Sequence, residues 1–260
     1  MLCVGFGLTL RTEIPIPGAM AASAGEAADI EVGYGTPAPW TERVAWGPYR
    51  AAGADLFDFT MPGLARYTVS DRRRITLTPA KGAAEEDIAA MLVATVLPAL
   101  LWSRGDVVLH AAAASRSPKG PGWLLLGDSG AGKSTRLLRA IGAGAHAIAD
   151  DSVCLRLEGE RVMASGLPGG VFARRPGQEG SRDFIATPAD HQLRGCAVTM
   201  GCLIDTTGKP RGRLEGLDGV TALLRHRHRP RILRLLGTEA DAIAPLARIA
   251  GHLRLIGIQL

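Results

Sequence analysis

Eight consecutive residues constrain this chain more than any others. Gly127-Asp128-Ser129-Gly130-Ala131-Gly132-Lys133-Ser134 fits the pattern GxxxxGK[ST] at every fixed position. A short apolar run, Trp123–Leu126, precedes it, and a helical pattern from about Lys133 to Ile141 follows. Strand, glycine-rich turn and helix in that order imply an α/β unit. The strand is apolar at every position, as strands buried on both faces of a parallel sheet are. Each residue type has a chemical reason. Gly127, Gly130 and Gly132 let successive N–H groups converge on phosphate oxygens. The helix start adds its positive dipole end. Lys133 reaches the β- and γ-phosphates and the Ser134 hydroxyl ligates Mg²⁺, with Thr135 beside it. The segment therefore predicts binding of a nucleoside triphosphate with Mg²⁺.

Around this unit the chain divides into two parts. Residues 1–84 read as a β-rich N-terminal domain, with candidate strands Cys3–Leu10, Ile30–Val32, Arg43–Trp46, Leu56–Thr60, Arg66–Ser70 and Arg74–Leu77 between Gly and Pro residues. Residues 85–260 read as the domain that carries the loop. Glu85, Glu86 and Asp87 open an apolar helix that runs to about Trp102. Strands follow at Val107–Ala114, Trp123–Leu126, Ala145–Ala149 and Ala197–Ile204, with a hairpin at Val153–Leu157 and Arg161–Ala164. Residues 165–195 read as loop. Gly219–His226 and Ala240–His252 read as helices, and Arg231–Leu235 and Leu253–Leu260 as strands.

Asp150-Asp151 ends the strand Ala145–Ala149, where open α/β sheets gather functional groups. One carboxylate there can hold Mg²⁺ while its neighbour accepts a hydroxyl proton; a turn cap is the plain alternative. His110 lies between apolar residues and reads by pattern as a core histidine. The net charge of +5 collects in clusters, among them Arg174 with Arg175 and the run Arg225-His226-Arg227-His228-Arg229-Pro230-Arg231. Arg174 and Arg175 could cover the site from a loop. The longer run could grip an acidic peptide, or simply be a solvated helix end. Aromatic residues are few, which disfavours nucleic acid. Cys3, Cys154, Cys196 and Cys202 lack metal-site spacing and read as reduced thiols. The run Ile88–Trp102 is short for a bilayer and contains Pro98, so no membrane partner is expected and the chain reads as cytoplasmic.

Together these features resemble the HPr kinase/phosphorylase superfamily. The residues that carry the resemblance are the strand VVLHAAAA, the loop GDSGAGKS, the triplet Ala149-Asp150-Asp151, and the interval from the first loop glycine to the first Asp. The specific motifs cover about residues 105–157. The resemblance implies a P-loop, HPr-kinase-like kinase domain. It implies Asp150 as base for the substrate hydroxyl, Asp151 and Ser134 as Mg²⁺ ligands, and His110 supporting the catalytic Asp, with Lys133 on the phosphates. Two departures stand out. Thr135 replaces the Glu that the bifunctional enzymes carry, and their Glu-Arg-Gly-x-Gly signature is absent, the nearest stretch being Gly166–Val171. Both argue against phosphorylase activity and against HPr as substrate. The whole layout, with Arg104-Gly105 and Leu109-His110-Ala111 ahead of the loop, looks more like HPr-kinase-related proteins of small biosynthetic clusters. Some of these are lasso-peptide precursor kinases, which phosphorylate a C-terminal serine.

The function expected is ATP- and Mg²⁺-dependent phosphorylation of a serine hydroxyl on a small peptide or protein. A kinase for a metabolite alcohol and a nucleotide-responsive module without transfer are the rivals. A homo-oligomer is compatible with the sequence.

Overall fold

The computed structural model describes residues 1–37, 44–173, 183–205 and 212–259. Residues 2–79 build a nine-stranded sheet. Its order is Met20–Ala21, Leu2–Gly5, Leu8–Thr12, Ile30–Tyr34, Arg74–Pro79, Ala65–Ser70, Leu56–Met61, Tyr49–Ala51 and Val44–Trp46. The first apolar run is not one strand, as expected, but two. Phe6 and Gly7 both take positive φ, 57° and 71°, and close a hairpin in which Gly5 faces Leu8. Paired positive φ angles match the right-handed twist of the strands they join. The residue-by-residue alternation of the run concealed this turn.

One face of the sheet is covered by the helix Glu85–Ser103. Its start carries Glu85, Glu86 and Asp87, and Tyr67 Oη donates to Ile88 O at 3.0 Å. Phe57, Phe59, Tyr67, Ile75 and Leu77 from the sheet pack with Leu92, Val96 and Leu100 from the helix. By length and composition alone this helix could cross a membrane; here 67% of its apolar window is buried inside the protein. Its middle, Leu92–Val96, is a π-turn. Pro98 is the physical cause we assign: it has no N–H to give to the carbonyl of Ala94, four residues back. That carbonyl instead accepts a hydrogen bond from Arg229 Nε at 2.7 Å.

The second sheet is mixed, not parallel. Its order is Val107–Leu109, Val153–Glu158, Arg161–Ser165, Gly195–Asp205, Gly122–Leu126, Ala111–Ser115 and His146–Ala149. Gly195–Asp205 is long enough for two partners on one side, Arg161–Ser165 first and then Arg254–Gln259. Gly122–Leu126 runs parallel to Gly195–Asp205 and antiparallel to Ala111–Ser115. Its two faces are both buried. Leu124 and Leu126 enter the main core, while Leu125 packs with Leu137 and Ile141 of the helix Lys133–Gly142. This explains its unbroken apolar sequence.

Three further expectations are corrected. Val107–Ala114 is interrupted at His110, whose N–H leaves the sheet to donate to His226 O at 2.7 Å. Arg231–Leu235 is not a strand; Pro230–Leu236 is a helix. Pro at its first position and left-handed Gly237 just past its end are helix-boundary signals, and Ile232, Leu233, Leu235 and Leu236 are buried at helical spacing. Residues 165–195 are not all loop, because Gly170–Ala173 pairs with Asp183–Ala186. Arg174 and Arg175 lie outside the described residues.

The two sheets share one continuous core that includes residues from Phe6 to Leu255. A polar clamp also joins them. Arg156 donates two hydrogen bonds to the Asp106 carboxylate, both at 2.7 Å, and a third to Phe6 O at 2.6 Å. Loss of these charge-assisted bonds in Arg156→Met should lower stability by about 2 kcal/mol. Urea unfolding checks this, and a midpoint equal to the wild type would show the clamp to be dispensable.

Candidate active site

The helix Lys133–Gly142 starts at Gly132, which is left-handed at φ 82° and offers no side-chain cap. Gly130 is left-handed too, at φ 87°. A side chain at either position would be strained. The first-turn N–H groups of the helix have no intrahelical partner and face the loop, an arrangement suited to an anion. Lys133 is buried, with 6% of its surface exposed. Its ammonium donates to Gly127 O at 2.8 Å and Asp128 O at 3.2 Å, and lies 3.1 Å from His110 Nε2. A buried charge has to be solvated by protein dipoles, and these groups do it.

Since Lys133 can only donate, His110 Nε2 accepts, and the ring proton sits on Nδ1. That nitrogen faces Asp151, 3.2 Å from its carbonyl O and 3.3 Å from Oδ1. The break in the strand is what turns His110 into this position.

Asp150 and Asp151 diverge because the backbone turns sharply between them. Asp151 is left-handed at φ 66°, and Ser152 N–H donates back to Asp150 O at 2.8 Å. Asp tolerates that conformation better than most residues. Asp150 Oδ1 accepts from the Ser134 hydroxyl at 2.9 Å, and its Oδ2 accepts from Phe172 N–H at 3.1 Å. Burial pushes the Asp150 carboxyl up to about 6, opposed by the Ser134 bond and helped by the charge of Asp151. For Asp151 burial acts in the same direction, but His110 and His228 overcome it and hold the group well below the usual range. His228 Nε2 lies 3.6 Å from Asp151 Oδ2. Burial lowers the pKa of His228 despite the pull of Asp151, so the ring is neutral near pH 7.

The residues expected to share a metal, Ser134 and Asp151, are thus engaged with different groups. Ser134 meets Asp150. These two oxygen donors fit Mg²⁺, a hard cation. Ligand atoms of His110, Asp151 and His228 also lie within 4.8 Å of one another. Two imidazoles with the Lys133 ammonium close by suit Mg²⁺ poorly. We read that set as a hydrogen-bonded relay from Lys133 through His110 to Asp151.

Two cavities meet at Asp151. A polar cleft is lined by His110, Gly127, Asp128, Ser129, Asp151 and Arg225. An apolar cavity of about 210 Å³ is walled by Phe6, Pro17, Val93, Leu167, Phe172 and Phe184, with Asp150 and Asp151 also lining it. Sequence reading missed His228 and the whole apolar cavity. The signal for His228 was the strict His–Arg alternation of its run. The cavity gave no local signal, since its walls come from five separate segments.

No family model matches the chain, and no curated protein matches it. Among solved structures, one is similar to part of the chain. It is the Hpr(Ser) kinase/phosphatase from Coxiella burnetii, 21% identical, with a TM-score of 0.34 over 39% of this chain and 67% of that one.

Asp150→Asn should raise stability at pH 8 by about 2 kcal/mol. The Asn oxygen can accept from Phe172 N–H while its NH₂ donates to Ser134 Oγ. The folded carboxyl sits near 6 against an ordinary 3.8, so the wild type has its full stability below pH 3.8 and loses part of it as pH rises through 6. Urea midpoints of the two proteins should therefore converge near pH 4. A constant gap across pH would contradict this cause.

Proposed function

We propose that this protein transfers the terminal phosphoryl group of ATP, with Mg²⁺, to a serine hydroxyl on a small peptide or protein. One observation carries the reading. Ser134, at the helix end of a glycine-rich loop, meets Asp150, and the adjoining Asp151 lines both a polar cleft and an apolar cavity. A phosphoryl donor and an alcohol acceptor need two such compartments, with a carboxylate between them.

In this reading the loop amides and Lys133 bind and neutralise the phosphates. Ser134 and Asp150 would hold Mg²⁺, which supplies charge neutralisation. Asp151 lines both cavities, so it orients the acceptor hydroxyl and accepts its proton as the new P–O bond forms and the bond to ADP breaks. His110 and His228 fix the Asp151 carboxylate. These roles exchange the two that the family resemblance implies for Asp150 and Asp151. The raised pKa of Asp150 would also suit a base, but its bond to Ser134 and the place of Asp151 in both cavities support the exchange. The apolar cavity supports an acceptor with a large apolar side chain next to the hydroxyl. Within this class, the sequence resemblance supports the C-terminal serine of a lasso-peptide precursor.

The test is labelled ATP with Mg²⁺ and a panel of serine-terminated peptides, HPr and small alcohols. Label on a peptide, lost in Asp151→Asn, is the expected result. Label only on a small alcohol would make the chain a metabolite kinase. Binding without any transfer would leave a nucleotide-responsive module. The two carboxylates separate by a second measurement. Asp150→Asn should abolish the Mg²⁺ dependence of ATP affinity, whereas Asp151→Asn should keep it and lower kcat by about 10³-fold or more. The reverse pattern would restore Asp150 as the base.

A further inference from the structure

The run from Arg225 to Arg229 is fixed by backbone pairing on both sides of His110. His110 N–H donates to His226 O at 2.7 Å, His228 N–H donates to Val108 O at 2.8 Å, and Leu109 and Arg227 form an antiparallel bridge. On either side of the bridged Arg227, His226 and His228 turn inward, 4% and 5% exposed, and Trp102 Nε1 anchors the segment by donating to His228 O at 2.9 Å. The arginines turn outward, each to a different partner. Arg229 reaches Ala94 O, and Arg227 reaches Leu224 O and lies 3.6 Å from Glu239. Arg225 alone of the three reaches the glycine-rich loop, where its Nη2 donates to Asp128 Oδ2 at 2.6 Å.

This inference rests on the phosphotransfer reading above. We infer that Arg225 is the cation that grips the terminal phosphate, and that Asp128 is a placeholder carboxylate which holds the guanidinium over the loop until phosphate replaces it. Three observations lead there. Arg225 and Asp151 line the same cleft, and Asp151 also lines the cavity assigned to the acceptor, so the transferable phosphate has to lie between them. Lys133 is anchored on the inner side of the loop, against its carbonyls and His110, which leaves the outer side of the cleft to a second cation. The Arg225–Asp128 pair is more than half exposed on both sides, 57% and 51%, and a solvent-screened pair of that kind is easily exchanged for a phosphate oxygen. A guanidinium fork matches phosphate as well as it matches a carboxylate.

Nucleotide affinity reads this out with no acceptor present. Titration calorimetry with Mg²⁺ would compare ATP and ADP on wild type, Arg225→Ala and Asp128→Asn. Arg225→Ala should weaken ATP roughly 10- to 100-fold and leave ADP nearly unchanged. Asp128→Asn, by releasing Arg225, should leave ADP unchanged and hold or tighten ATP. Thermal unfolding of both variants should match the wild type, since the pair is exposed. Equal losses for ATP and ADP in Arg225→Ala, or no loss in either, would overturn the terminal-phosphate role while leaving the phosphotransfer reading intact. A wild type that binds neither nucleotide would overturn both.

Discussion

The Lys133 ammonium is buried, and much of the site follows from how the protein solvates it. Two loop carbonyls and the ring of His110 surround it. His110 can reach it only because the strand Val107–Leu109 stops there and the next strand begins at Ala111. The same hydrogen bonding sets the imidazole tautomer and points its proton at Asp151. A cation, a ring and a carboxylate thus form one line, and each fixes the state of the next.

The loop is held from beneath by a strand buried on both faces. Leu124 and Leu126 look into the core shared by the two sheets, and Leu125 looks toward the helix that the loop opens. That strand supplies no functional side chain, yet the loop has its position because of it. A second support comes from further away. Pro98 interrupts the helix bonding, and the Ala94 carbonyl is tied to Arg229. The long apolar helix therefore positions the basic segment on the outer side of the cleft. The N-terminal sheet contributes directly as well, because Phe6 and Pro17 wall the cavity beside the carboxylates.

The site carries local costs. Asp150 is buried with its pKa raised, and Asp151 and Arg229 take left-handed backbone that is uncommon for residues other than glycine. Such features persist where surrounding structure overdetermines them. Here the surrounding structure is the shared core and the Arg156 clamp.

Local sequence determined the strand–loop–helix unit, its chemical residues Gly127 to Ser134, and the carboxylate pair at the end of the strand His146–Ala149. Their signals lie within a few residues, and backbone sterics act at that range. Helix boundaries were legible at Glu85–Ser103, where acidic residues open an apolar run, and at Lys133–Gly142, where apolar spacing follows the glycine-rich loop. The hairpin at Phe6–Gly7 was hidden by the alternation of its run, and the helix Pro230–Leu236 was misread because a short apolar run fits either period until tertiary contacts choose. Only the tertiary structure decided which aspartate meets Ser134, since a single left-handed residue sends the two carboxylates opposite ways. It alone brought Arg225 to the loop, 97 residues from Asp128, and His228 to Asp151. Those contacts depend on pairing between distant backbone segments, and no local pattern carries that information.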